Sequence, residues 1–247
     1  MTDKPLSGRV AVVTGASRGI GYAAAKALAA EGAHIIAVAR TVGGLEELDD
    51  EIRAMGSEAT LVPFDLKDFA AIDRLGGAIY ERWGKLDILL GNAGLLGVVT
   101  PLGHLEPKVF DDVMAVNVTA NWRLIRSLDP LLRLSDAGRA LFLTSGAVRR
   151  CRPYWGIYSA SKAALEALVR TWAGEIRQTS VTANLLDPGP LRTHMRAQGR
   201  PGEDPETLEP PEAVAPDIVR MVSPDYAENG VLFSYPARET TDMLVTG

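Results

Sequence analysis

The stretch Val10-Ala11-Val12-Val13-Thr14-Gly15-Ala16-Ser17-Arg18-Gly19-Ile20-Gly21 constrains the fold more than any other part of this chain. An apolar run of strand length stops at Thr14-Gly15, glycines follow at 15, 19 and 21, and residues 22–30 read as helix. Strand, glycine turn, helix aims a helix N-terminus and its free N–H groups at an anion. Glycine lets the backbone take positive φ and approach a pyrophosphate closely. The spacing is G-x-x-x-G-x-G rather than the common G-x-G-x-x-G, and such turns also occur without a ligand. The same residues match G-x-S-x-G, a hydrolase nucleophile elbow centred on Ser17. That alternative needs an oxyanion loop from an earlier strand, where only residues 9–13 lie upstream. It also needs a histidine partner, and only His34, His104 and His194 exist.

Short apolar runs at 10–13, 35–39, 59–62, 87–90, 140–144, 181–186 and 231–233 alternate with helical patterns at 20–31, 44–55, 69–83, 109–133, 159–178 and 212–222. The early runs are apolar on both faces, as buried parallel strands require. Repeated strand–helix units predict an α/β fold: a single doubly wound, Rossmann-type domain over residues 1–247, with a parallel seven-stranded sheet and helices on both faces. The 247 residues suffice for one such domain. One segment differs. Residues 196–211 hold two glycines and four prolines, so they are expected to form a mobile loop, and their place after the sixth strand suits a substrate lid.

A net charge of −5 and a pI near 5.3 provide no field to recruit nucleic acid or an anionic membrane. The single cysteine, Cys151, excludes an internal disulfide and a cysteine-based zinc site. No two histidines stand at a metal-ligand spacing, so no metal is expected. The N-terminus lacks the order of a signal peptide and no apolar run reaches the ~18 residues of a membrane span, which predicts a cytoplasmic protein.

Tyr158-Ser159-Ala160-Ser161-Lys162 opens the helix after the fifth strand. Tyrosine and lysine four apart stack on one helix face. A cation there is expected to favour phenolate, and moving a phenol from its usual pKa of ~10 to ~7 takes about 4 kcal/mol. Ser145 ends the preceding strand, Leu89-Leu90-Gly91-Asn92-Ala93-Gly94 closes the fourth, and Asn117 interrupts an apolar helix where a polar amide needs partners.

Together these residues resemble the short-chain dehydrogenases/reductases over nearly the whole chain. The likeness rests on Thr14-Gly15-x-x-x-Gly19-x-Gly21, Asp65, Asn92-Ala93-Gly94, Asn117, Ser145, Tyr158-x-x-x-Lys162 and Pro188-Gly189, in that order. The resemblance implies an oxidoreductase that interconverts a carbonyl and a secondary alcohol, with Tyr158 as general acid/base. It implies that Lys162 lowers the Tyr158 pKa and holds the nicotinamide ribose, that Ser145 steadies the developing oxyanion, and that Asn117 fixes a helix irregularity and a proton-relaying water. For the cofactor it implies Gly15, Ser17, Gly19, Ile20 and Gly21 along the phosphates, and Asp65 and Leu66 at the adenine. Asn92, Ala93 and Gly94 fall on the adenosine side, and Pro188, Gly189, Leu191 and Thr193 at the nicotinamide. It further implies a homodimer or homotetramer.

NADP is expected over NAD. The second strand ends Val38-Ala39-Arg40, without the acid that takes an adenosine ribose 2′-OH, and a guanidinium there suits a 2′-phosphate. Arg18 is placed to reach the same group. Two departures from the family pattern stand out: Gly91 before the Asn-Ala-Gly turn, and a tail running Tyr235-Pro236-Ala237-Arg238-Glu239. The substrate, a small carbonyl or alcohol, is otherwise unread, although Arg149, Arg150 and Arg152 form a basic cluster beside the expected pocket, with Tyr154 and Trp155. A non-catalytic nucleotide-binding sensor or scaffold is the other alternative, and intact Ser145, Tyr158 and Lys162 weigh against it.

Overall fold

A computed structural model describes residues 4–244. In chain order the elements are β1 (Val10–Thr14), α1 (Gly19–Ala30), β2 (His34–Ala39), α2 (Val42–Ala54), β3 (Ala59–Pro63), α3 (Phe69–Trp83) and β4 (Ile88–Gly91). There follow α4 (Pro107–Met114), a π-helical turn over Ala115–Thr119, α5 (Ala120–Leu132), β5 (Arg139–Leu143), α6 (Ala147–Arg150) and α7 (Gly156–Glu175). The chain ends with β6 (Thr182–Asp187), α8 (His194–Gly199), α9 (Ala215–Val222), β7 (Val231–Ser234) and β8 (Glu239–Asp242).

Side chains alternate across a strand, and both faces of these strands are apolar, so the sheet needs cover on each side. Ala11 and Val13, Ile35 and Ala37, and Leu141 and Leu143 join one core beneath α1, α2 and α9. Val10 and Val12, Ile36 and Val38, and Ala140 and Phe142 join the other, beneath α3, α5 and α7. The sheet order is β3-β2-β1-β4-β5-β6-β7-β8. Order reverses between β1 and β4, which leaves a crevice at their carboxyl ends, where open α/β sheets bind ligands. Local signals set the helix ends. Asp68 caps α3 by accepting from the Ala71 N–H at 3.0 Å, and Gly84 closes it at φ +72°.

The sheet has eight strands rather than the expected seven. β8 pairs antiparallel with β7, and all four of its residues are exposed. A polar edge strand buries nothing, so it leaves no apolar run to read, and it protects the sheet edge. The expected helix over 109–133 is continuous in path but takes a π-turn at Ala115–Thr119. Residues 196–211, expected as a loop, instead fold into the end of α8 and short 3₁₀ turns at Pro205–Thr207 and Pro211–Val214. They are tied by Arg196 to Glu203 and by Tyr235 to Glu209. Among the described residues no helix is long and apolar enough to cross a membrane.

Candidate active site

The carboxyl edge of the sheet opens into a cleft of about 470 Å³, within the range of small-molecule sites. One end is the β1–α1 turn. Gly15 (φ +67°) and Gly19 (φ +59°) take the left-handed conformation, and a Cβ at Gly15 would sit 2.9 Å from Asn92 Nδ2 and 3.0 Å from Ala93 Cα. Only glycine fits there. Arg18 occupies the N-cap position of α1 without a side-chain cap bond, so the first N–H groups of that helix face the cleft free of a side-chain acceptor, which suits a phosphate. Thr14 and Asn92 lock the adjoining turns. Thr14 Oγ1 accepts from the N–H groups of Asn92 (3.0 Å) and Ala93 (3.1 Å), and Asn92 Nδ2 donates to Thr14 O at 2.8 Å.

Ser17, Arg18, Ile20, Arg40, Asp65, Leu66, Ala93, Gly94, Pro188, Gly189, Leu191 and Thr193 all line this cleft. Gly21 does not. It faces back into the turn, where a Cβ would lie 2.4 Å from Gly15 O and from Asn92 Nδ2; its part is close packing of α1 against β1. Arg40 and Asp65 face each other loosely, Nη1 to Oδ2 at 3.7 Å, with both side chains over a third exposed, so the guanidinium is available to a further anion. The Gly91 departure also has a packing reason. A Cβ there would meet Phe142 Cδ1 at 2.2 Å, and the Phe142 ring packs edge-on against Trp172. The unusual tail buttresses the site, since Pro236 packs on Gly189 so closely that a Cβ at Gly189 would lie 2.2 Å from Pro236 Cγ.

The middle of the cleft holds Ser145, Tyr158 and Lys162. Burial pushes the Tyr158 phenol up to about 12, a hydrogen bond from Ser145 pulls it down, and the charge of Asp187 adds to the rise. Burial pushes Lys162 down to about 8, with Glu166 opposing. The ammonium donates to Leu143 O at 2.7 Å. The Lys162 ammonium is not among the groups that move the phenol. Desolvation disfavours phenolate and ammonium alike.

Asn117 sits behind the cleft rather than in its wall. Fully buried, its Oδ1 accepts from Leu95 N at 2.7 Å, and its Nδ2 donates to Leu95 O and Ser161 Oγ, each at 2.9 Å. It lies within the π-turn, and Asn121 closes the same turn by donating to Asn117 O at 2.9 Å. The amide thus pins the β4 loop to α7. Sequence reasoning missed Thr144, Glu166 and Asp187. Thr144 Oγ1 donates to Glu166 Oε1 at 2.5 Å, burial pushes Glu166 up, and Asp187 binds Arg149 at 2.7 Å. Glu166 carries a sequence signal, being one helical turn beyond Lys162; Asp187 carries none. For the hydrolase alternative, only His194 of the three histidines shares the cleft with Ser17. His34 bonds Thr60 at 2.9 Å, and among the described residues no hydrogen bond joins Ser17 to a histidine.

Comparison with known proteins defines the class. The short chain dehydrogenase family model matches residues 9–204, and the chain belongs to that family of oxidoreductases. It is 38% identical to YciK, an uncharacterized oxidoreductase of Escherichia coli, over 89% of this chain and 88% of that one. A short chain dehydrogenase structure from Pseudomonas syringae superposes with a TM-score of 0.91 at 39% identity, covering 94% and 96% of the two chains. One from Escherichia coli, crystallised with NADPH, gives 0.90 at 36% identity, covering 95% and 99%.

Proposed function

We propose that this chain is an NADPH-dependent reductase that converts an aldehyde or ketone to its alcohol, with Tyr158 as the proton donor. The observation that carries the reading is the convergence of Ser145, Tyr158 and Lys162 in the cleft whose far end is the glycine turn. Reduced nicotinamide, when bound, supplies a hydride. The rest of the work falls to the protein. Ser145 holds the carbonyl oxygen by a hydrogen bond, and that bond strengthens as negative charge grows on the oxygen. Tyr158, whose pKa stands at about 12, gives its phenolic proton to the same oxygen; the O–H bond breaks as the alcohol O–H forms. Lys162 would hold the ribose hydroxyls of the bound nucleotide with its ammonium. Asn117 is a positioning residue that keeps the β4 loop against α7.

The cofactor preference is supported by chemistry at the end of β2. β2 is followed by Arg40 rather than by an acid, Arg40 and Asp65 are only loosely paired at 3.7 Å, and Arg40 and Arg18 both line that end of the cleft. They suit a 2′-phosphate. The NADPH-bound relative points the same way. The test is a panel of aldehydes and ketones, followed by loss of NADPH and NADH absorbance in parallel. Carbonyl-dependent oxidation of NADPH, well above that of NADH, is the expected result. Equal use of the two removes the cofactor claim, and oxidation of neither removes the function.

A further inference from the structure

The basic cluster read in the sequence does not act as one group. Arg149 turns inward to Asp187, Nη2 to Oδ2 at 2.7 Å. Arg150 and Arg152 line a side cavity of about 60 Å³ with Ser145, Trp155, Arg196 and Arg200, and the Arg150 guanidinium also stands over Gly146, where a Cβ would lie 3.4 Å from its Cζ and 3.1 Å from Asp187 Oδ2. Four arginines therefore line one small space, brought there by α6 and the turn after it from one side and by α8 and its C-cap from the other. Ser145, Trp155 and Arg196 line both this cavity and the main cleft, so the two are continuous beside the catalytic serine.

The charges in the cavity do not balance. Glu203 takes Arg196 in two bonds of 2.5 Å. Among the described residues no carboxylate comes within 4.0 Å of Arg150, Arg152 or Arg200. Arg200 is half-buried, and its Nε is buried without any hydrogen-bond partner, a costly condition for a charged donor. Its guanidinium lies 5.8 Å from the centre of the Trp155 ring. A chain of net charge −5 has thus gathered beside Ser145 three arginines without a close carboxylate partner, with Glu203 acting on Arg200 only at longer range. A focused positive field of this kind attracts anions, and guanidinium groups match the oxygens of carboxylate and phosphate.

Resting on the reductase reading, we infer that the substrate carries an oxyanion, a carboxylate or a phosphate, and that Arg150, Arg152 and Arg200 receive it while its carbonyl lies at Ser145. The Trp155 ring forms the wall along which the body of the substrate runs between the two. This site lies apart from the Arg40 and Arg18 pair, which belongs to the cofactor end of the cleft.

Two matched pairs of carbonyl compounds test this: 4-carboxybenzaldehyde against methyl 4-formylbenzoate, and glyceraldehyde 3-phosphate against glyceraldehyde. Within each pair the reacting carbonyl is the same and only the anion differs. The expected result is at least a tenfold higher kcat/KM for the anionic member of one pair. That ratio falls toward 1 in R150Q/R152Q, whose exposed side chains put folding at little risk, and it shrinks with added KCl. R200Q tests the buried donor by the same ratio. Turnover with no charge preference, or a preference that survives in R150Q/R152Q, overturns the inference and leaves the reductase standing. Absence of turnover with every carbonyl removes the reductase reading instead. The anion site is then read by titration calorimetry of benzoate and of phenyl phosphate into NADP-loaded protein. Heat that R150Q/R152Q abolishes supports the site, and no heat with either probe overturns it.

Discussion

The two ends of one sheet bury charge in opposite ways. At the amino edge, Asp87 is fully buried and every neighbour serves it. Val10 N donates at 2.9 Å, Ser135 Oγ at 2.6 Å, Lys85 Nζ at 2.9 Å and Arg9 Nη1 at 3.0 Å. Burial alone would raise its pKa, yet these bonds win and hold the carboxyl below its usual range. At the carboxyl edge burial wins. Tyr158 goes up, Lys162 goes down and Glu166 goes up, because each has too few partners for its charged form. A satisfied network is a structural device, whereas perturbed groups gathered in a cleft mark a working site. The contrast teaches where this chain invests stability and where it keeps reactivity.

Breaking the amino-edge network gives the largest effect. Asp87→Ala removes the acceptor for Val10 N and Ser135 Oγ, while Arg9 keeps its pair with Asp136 and Lys85 turns to solvent, so urea unfolding is expected to show a loss of about 2–3 kcal/mol. Because the folded pKa of Asp87 is depressed, its contribution is present above the unfolded value of about 4 and disappears as pH falls through the folded value. Wild-type stability is therefore expected to drop steeply in acid, and the variant is expected to drop less.

At the other end the effect is on rate. Reduction needs protonated Tyr158 and charged Lys162, so kcat/KM is expected to be level below pH 8 and to fall as Lys162 loses its proton at about 8. A guanidinium stays charged, so K162R is expected to lose that limb; a limb that persists unchanged assigns it to another group. The smallest effect lies at the cofactor end. R40D replaces a cation with an anion facing the 2′-phosphate, and the NADPH-to-NADH ratio of kcat/KM is expected to fall about 10- to 100-fold, the worth of one charged hydrogen bond. An unchanged ratio places the selectivity elsewhere.

Much of this architecture was legible in the residues. Both faces of β1, β2 and β5 are apolar, so a doubly covered parallel sheet followed from the pattern, and the glycine turn marked which edge opens. The β8 strand was not legible, because Glu239, Thr240, Thr241 and Asp242 bury nothing and pair only through the backbone. The π-turn at Asn117 was visible only as a polar residue in an apolar helix; its geometry depends on Leu95 and Ser161, far away in sequence. Arg196 and Arg200 were read as loop residues, and their meeting with Arg150 and Arg152 depends on how α8 folds back over Trp155. The Tyr158–Lys162 spacing showed that the two lie on one helix face. It did not show that burial pushes the phenol up and the ammonium down, since desolvation is a property of the whole fold.

The central claim is that the Tyr158 phenol delivers the proton, and Tyr158→Phe tests it directly, because it removes one oxygen and keeps the ring. With a carbonyl that the wild type reduces, the account predicts that NADPH-driven turnover by the folded variant falls by about 10²- to 10⁴-fold. Turnover equal to that of the wild type would contradict the account.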